Sequence, residues 1–363
     1  MKSLEILKLT ESFKSEIIDQ IRFAPTGDNS QHFKYSWSTN SLFVYYIEEL
    51  GEHTLNEDNK ASMLSLGAVL AIVRMISSTH NLGLDFKLNE NKKNNEPIAE
   101  IEFYPSKGEG YFSELIPIIK RRTTNRNHHI KNGEIDKLLE ETLSHTSSLI
   151  EVKWVTSPSI SLKQYLIKCE TYVYQNYSAF SDTEQWIRYN KKQWLESKNG
   201  FNLKNIKVNM LDAIFIKFIV KSRRRLNFFW KTAMGPKIKL DAKRQIENTS
   251  AIVAFTCSLK NDKALIETGQ IAFIQWLRLS AAGLQVQPLT IASLTAHTFL
   301  NKGSVKGCPK QFKEVFKSSK DLLRDEFKLK ENQSVLWMFR TGKGNVLPDD
   351  SKTLRLDPLD YLV

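Results

Sequence analysis

Two stretches of about twenty residues constrain this chain most. Residues 64–82 place Leu66, Val69, Leu70, Val73 and Ile76 at helical spacing, and the spacing predicts a long apolar helix closed by Gly83. Residues 264–282 predict a second such helix, with Glu267, Gln270, Gln275 and Arg278 as its polar positions. The two share a pattern. Leu66-Gly67-Ala68 runs to Leu82-Gly83-Leu84, and Thr268-Gly269-Gln270 runs to Ala282-Gly283-Leu284, with glycines 16 and 14 residues apart. Each is followed by strand-like sequence. Helices this apolar must bury most of their surface, so two similar halves packing their helices against each other is one solution. The alternative is that any two buried helices look alike.

The rest of the chain alternates strands and helices. A helix is expected over 14–23, ending before Pro25, and one or two strands over 35–47 with a turn near Asn40-Ser41. Strands are expected at 85–88, 98–104, 151–155, 251–258, 285–289 and 335–340, and further helices at 133–143 and 162–177. The chain of 363 residues is long enough for two domains or one large one. Lysine breaks the apolar run after Ile214–Val220, so no membrane-spanning helix is expected. The charged start Met1-Lys-Ser-Leu-Glu does not suit a signal peptide, and the chain reads as cytoplasmic.

The charge is uneven. The formal net charge is +12, yet residues 186–244 carry 16 Lys+Arg against 3 Asp+Glu, which leaves the other 304 residues near −1. This segment reads as a basic insert in a neutral body. Met210–Val220 is strongly apolar and is followed by Lys221-Ser-Arg223-Arg224-Arg225 and Phe228-Phe229-Trp230. Three readings compete: a helical lid packing its apolar side on the body, an anionic membrane contact, or an RNA contact through Lys221–Arg225.

The common chemical signatures are missing. The sequence holds no Gly-Lys-Ser/Thr phosphate loop, no GxGxxG and no HExxH. Cys169, Cys257 and Cys308 are an odd, widely spaced set that fits neither a disulfide framework nor a zinc site. Cys257 reads as a small core residue, and His128-His129 is the only histidine cluster. No metal is expected.

Four segments in order nevertheless carry a resemblance. They are Ala24-Pro25-Thr26-Gly27-Asp28-Asn29-Ser30-Gln31, then Arg121–Arg126 with the helix after it. Gly269-Gln270 through Gln285-Val286-Gln287-Pro288-Leu289 and Leu336–Gly342 with Arg355-Leu-Asp-Pro follow. In these the chain resembles the FMN-dependent nitroreductases, most closely their single-chain pseudo-dimeric Acg-like FMN-binding branch. The match runs over nearly the whole chain except 186–244. It implies an α+β nitroreductase-like fold of two tandem α/β/α halves forming an intrachain pseudo-dimer around long central helices. The first half is residues 1–115, with the Pro-Thr-Asn-Gln loop. The second is 116–363, with the phosphate arginines, the ring-side loop, the C-terminal arginine and the lid-like insert. Because each set occurs in only one half, one complete site and one FMN per chain are expected, in a monomer.

By the same resemblance, Arg122 and Thr124 hold the phosphate and ribityl end, with Arg121 as the alternative and Arg355 as a second phosphate clamp. Arg126 falls near the pyrimidine edge of the ring, with Lys243 and Arg244 close to another such contact. Pro25, Thr26 and Asn29 meet the ring, Gln31 supports their loop, and Gln287, Pro288 and Leu289 pass beside the ring face through their backbone. The implied activity is an FMN-dependent oxidoreductase, with NAD(P)H as a candidate donor and a small molecule or peptide as substrate. A non-catalytic flavin-sequestering protein under a lid is the alternative. Two departures affect the substrate face: His32-Phe33 stands where the family often has Pro-Trp, and Leu289-Thr-Ile-Ala replaces the common Glu-Gly. Each site residue also has an ordinary reading. Arg121-Arg122 could be a solvated helix-end pair, Asn29 a turn residue, and Gln287-Pro288 a strand end.

Overall fold

The computed structural model describes residues 7–90, 93, 95–107, 110–127, 129–130, 135–143, 147–259 and 261–363. The N-terminal charges, His128 and residues 133–134 of the expected 133–143 helix lie outside them.

Two helices, Lys60–Thr79 and Asp262–Ala281, form the centre. They pack on each other more extensively than any other pair of elements. Their contact explains the repeated glycine. A Cβ on Gly67 would fall 2.0 Å from the Ile266 carbonyl oxygen, and one on Gly269 would fall 2.1 Å from that of Leu64. The backbones cross where neither helix has a side chain.

A four-stranded antiparallel sheet accompanies each helix. The first is formed by β1 (Phe33–Trp37), β2 (Ser41–Tyr46), β3 (Leu82–Leu88) and β4 (Ala99–Pro105), in the order β1-β2-β4-β3. Its residues alternate between buried and half-buried, as in Leu42 and Val44 against Phe43 and Tyr45, so one face carries the core. After β5 (Glu151–Val155) come the short parallel strands β6 (Ile187–Arg188) and β7 (Phe201–Asn202), which pair with each other in the insert. The second sheet joins β5 to β8 (Ala251–Cys257), β9 (Gln285–Pro288) and β10 (Ser334–Gly342), in the order β5-β8-β10-β9.

The continuous apolar run of β8 follows from burial on both faces. Val253, Phe255 and Cys257 join the core around the central helices. Ile252 and Ala254 join a second cluster with Leu162, Phe312 and Phe316. Each large side chain buried this way contributes about 1.5–3 kcal/mol. The architecture is α+β.

Two expectations need correction. The first central helix ends at Thr79, and the chain turns through Asn81 in a left-handed conformation (φ 54°). Gly83 is therefore a residue of β3, packed under Tyr104, and not a helix stop. In the second copy Gly283 does end the helix, at φ 78°. The 162–177 helix is two helices, Ile160–Glu170 and Tyr177–Glu184. Thr171 turns its hydroxyl back to the Lys168 carbonyl at 2.7 Å, and Asn176 caps the new helix. One helical stretch, Glu57–Thr79, is long and apolar enough to cross a membrane by length and composition alone. Within this fold 89% of its most apolar window is buried.

The insert is mainly helical: Lys191–Ser197, Met210–Ile219, Arg223–Phe229 and Gly235–Glu247 follow in order. Lys243 and Arg244 lie exposed on the last of these helices.

Candidate functional site

A cavity of about 400 Å³ is lined by residues from segments 23–32, 50–65, 120–126 and 287–294, by Trp276 and Trp337, by the insert and by the C-terminal tail. Its size falls in the range of small-molecule sites, about 300–1,000 Å³. Of the residues expected from sequence, Pro25, Thr26, Asn29, Arg122, Thr124, Arg126, Gln287, Pro288 and Arg355 line it. Gln31, Arg121 and Leu289 do not. Arg121 is exposed. Leu289 is buried under the second sheet, its N–H donating to the Met338 carbonyl at 2.8 Å.

Segments far apart in sequence are joined here. Residues 121–126 run beside β9: Thr124 forms a parallel bridge with Val286, and the Asn125 N–H donates to the Val286 carbonyl at 3.0 Å. The Asn125 amide also donates to Gln285 Oε1 at 2.9 Å. Thus the arginine segment and the Gln-Pro segment form one wall. The Gln287 side chain is already engaged, accepting from Arg340 Nε at 2.8 Å.

The 25–31 loop makes the facing connections. Asp28, Asn29 and Gln31 all adopt positive φ, 49°, 54° and 54°, a geometry costly for non-glycine residues unless the surroundings impose it. The bonds that impose it are visible. Thr26 Oγ1 accepts the Gln31 N–H at 3.0 Å. Asn29 Nδ2 donates to the carbonyls of Gly200 in the insert and Leu354 in the tail, at 3.2 and 3.1 Å, while its Oδ1 accepts from Arg355. Gln31 donates to the Lys198 carbonyl at 2.8 Å and accepts from the Leu356 N–H at 2.9 Å and from the Tyr361 hydroxyl. Gln31 therefore holds the loop, the insert and the tail together from behind the wall.

The arginines set the electrostatics. Arg122 is buried, lies over the Trp276 ring at 4.3 Å, and spends one N–H on the Phe23 carbonyl at 3.1 Å. Burial, reinforced by the nearby positive charge of Arg355, pushes its pKa down to about 9. Burial also lowers the pKa of Arg126, opposed by Asp28 and Glu170, and that of Arg355. Nε of Arg122 and Nε of Arg355 are buried without an acceptor among the described residues. Among the described residues, no carboxylate stands within ion-pairing distance of Arg122, Arg126 or Arg355. Unpaired buried cations are costly, and the arrangement suits an anion with several oxygens.

Sequence reasoning passed over several lining residues. His53 and Asp28 pair at 3.0 Å through Nε2, while His53 Nδ1 accepts the Leu55 N–H at 2.9 Å, which fixes the ring. Burial opposes charge on His53, but Asp28 and Asp182 outweigh it and hold the imidazole above its ordinary 6.5. His32 is the reverse: fully enclosed beside Ser30, its pKa is pushed down by burial to about 3. Trp276 and Trp337 add flat apolar surface, and Trp186, Phe201 and Asn205 come from the insert. The only available signal for these was their place beside matched segments: Trp276 follows Gln275, and Trp337 lies within Leu336–Gly342.

No family model and no curated protein matches the chain. Among solved structures, it is similar to a nitroreductase-like family protein from Bacillus cereus, at 12% identity and TM-score 0.34, covering 69% of this chain and 94% of that one. It is also similar to an FMN and NADPH-dependent nitroreductase from Sphigopyxis sp. strain HMH, at 11% identity and TM-score 0.36, covering 69% and 97%. A putative nitroreductase from Anabaena variabilis matches at 10% identity and TM-score 0.33, covering 93% and 74%. At these scores the architecture and the site rest on this chain's own residues.

Proposed function

We propose that the cavity holds one flavin mononucleotide per chain and that the protein is an FMN-dependent oxidoreductase acting on a small molecule. One observation carries the reading: the buried Arg122 and the half-buried Arg355 line one cavity, each with a buried Nε that lacks an acceptor and neither with a carboxylate partner among the described residues. A phosphate dianion meets both demands, and a ring-bearing ligand suits Trp276, Trp337 and Pro288 on the same walls. Bound flavin supplies electron transfer between a donor such as NAD(P)H and an acceptor.

The chain's residues bind and orient. Arg122 and Arg355 take the phosphate with Thr124. The 25–31 loop, held by Gln31, and the backbone of Gln287-Pro288 take the ring. Arg126, on which Asp28 and Glu170 oppose the lowering of its pKa by burial, is the cation assigned to the pyrimidine edge, where it favours negative charge on the reduced ring. His53 keeps a proton on Nε2 against Asp28 and is the titratable group that borders the cavity beside it.

A second reading, a flavin-sequestering protein without turnover, is favoured by the bonds that fasten the insert over the cavity. Asn205 Nδ2 donates to the Ser351 carbonyl at 2.7 Å and Asn202 Nδ2 to that of Asp350 at 3.0 Å. Lys198 pairs with Asp357 and Lys204 with Asp350. Anaerobic mixing of the FMN-loaded protein with NADPH or NADH separates the two. Bleaching of the flavin absorbance followed by its return with an added acceptor supports the enzyme. A yellow protein inert to both donors supports sequestration.

A further inference from the structure

Of the three readings open for the basic segment, a helical lid packs its apolar side on the body and turns its lysines to water. The Met210–Ile219 helix does so only in part. Ala213 and Ile219 are buried, and Ile219 packs with Leu226 and Phe180. Met210, Leu211, Ile214 and Phe218 are instead exposed, at 62%, 78%, 61% and 45%. At about 100° per residue these positions fall within one arc of roughly 100°. They form a continuous apolar stripe along a helix of ten residues.

The stripe continues into the next helix. Phe229 packs edge-on to both Phe218 and Phe228, with centroids 6.0 and 5.1 Å away, and Phe228 is itself 60% exposed. Arg225 lies over the Phe218 ring at 4.3 Å and donates to the Phe218 carbonyl at 3.1 Å, which fixes the angle between the helices. Exposed cations surround this surface: Lys217, Lys221, Arg223 and Arg224. The one acidic residue on the helix, Asp212, faces Lys237 at 3.6 Å.

We propose that this face is a docking surface for an anionic phospholipid bilayer, on which the Met210–Ile219 helix lies in the plane of the interface. Charge complementarity selects the occupant. Residues 186–244 hold a net charge of +13 in a body that is otherwise near neutral, and four of its exposed cations, Lys217, Lys221, Arg223 and Arg224, lie on or just after the helix that carries the stripe. The apolar part selects it further. Met210, Leu211 and Ile214, three of the most exposed members of the stripe, suit acyl chains and carry no ring for base stacking, and Phe218 and Phe228 suit the interfacial layer. A ten-residue helix rises about 15 Å, too short to span a bilayer and suited to lie along it. The same insert supplies Trp186, Phe201 and Asn205 to the cavity wall.

The test is co-sedimentation of the full chain with vesicles of phosphatidylcholine alone and of phosphatidylcholine mixed with phosphatidylglycerol. Two variants are compared with the wild type: Leu211→Ser with Phe218→Ser, and Lys221→Gln with Arg223→Gln and Arg224→Gln. All five side chains lie at the surface, and thermal melts confirm that the fold is kept. The wild type binds the anionic vesicles more tightly. The charge variant loses about a hundredfold in affinity, taking each cation as worth about a fivefold gain. The apolar variant loses roughly tenfold or more.

Three results would overturn the proposal. The first is no preference for anionic vesicles. The second is binding unaffected by the apolar variant and matched by single-stranded RNA, which would mark a general polyanion site. The third is a concentration-dependent dimer broken by Leu211→Ser with Phe218→Ser, which would assign the stripe to a second copy of the chain.

Discussion

Arg355 stands close enough to Arg122 for its charge to depress the Arg122 pKa, although the two are separated by most of the chain and neither has a carboxylate partner among the described residues. Two like charges held together in a buried place are unfavourable unless something bound there repays the cost. A double prediction follows from that cost. Arg122→Met, which keeps apolar volume over Trp276, raises the stability of the ligand-free protein by about 1–3 kcal/mol and weakens FMN binding by roughly 10–100-fold. Denaturant melts and a flavin titration check the two arms. A ligand-free protein destabilised by this change would mean that Arg122 serves the fold and not an anion.

The crossing of the central helices allows no side chain at Gly67 or Gly269. Gly67→Ala and Gly269→Ala each place a methyl about 2 Å from a backbone carbonyl oxygen, which cannot rotate away. Each costs about 3 kcal/mol or more by forcing the helices apart. Urea denaturation reads this directly, and an unchanged midpoint would show that the helices do not meet there.

Two histidines of the cavity respond to pH with opposite sign. His53 is held above 6.5 by Asp28 and Asp182, against burial, so its folded pKa exceeds its unfolded one. Its contribution is full below the unfolded pKa and is lost as pH rises through the folded value. His32 is pushed down to about 3 by burial, so its contribution is full above 6.5 and is lost as pH falls toward 3. His53→Gln should flatten the decline on the alkaline side, and His32→Gln should flatten the decline on the acid side. Chemical denaturation across a pH series tests both, and identical profiles in wild type and variants would refute the assignment.

Two asparagines anchor the insert to the C-terminal tail. Asn205 and Asn202 each accept the other's backbone N–H at 2.8 Å, and Asn205 also grips the tail at Ser351. Asn205→Ala removes the tie to the tail and one of these bonds, and should speed release of bound flavin about tenfold. Stopped-flow dilution into apoflavodoxin as a flavin trap measures it. An unchanged rate would show that the cover does not control exit.

Local pattern made much of the fold readable. β5 was expected at 151–155 and is found there, because alternation between two turns leaves little freedom. The repeated glycines pointed to paired helices, and mutual contact is why both positions are glycine. Pattern failed where a polar side chain competed with the backbone, as at Thr171 and Asn176, which split an expected helix. Gly83 misled because a glycine under an aromatic ring in a strand looks the same as a helix stop. In the site, the Arg121-Arg122 pair was ambiguous in sequence; packing over Trp276 decides which arginine turns inward. His53 was not legible, since its meeting with Asp28 depends on two loops joined only by the tertiary structure.

The most direct test of the central claim is the flavin content of the full chain after reconstitution with excess FMN and gel filtration, read by absorbance against protein concentration. The account predicts a yellow protein with one FMN per chain, and a colourless Arg122→Ala with Arg355→Ala variant prepared in the same way. A wild type that stays colourless, or that retains two flavins per chain, would contradict it.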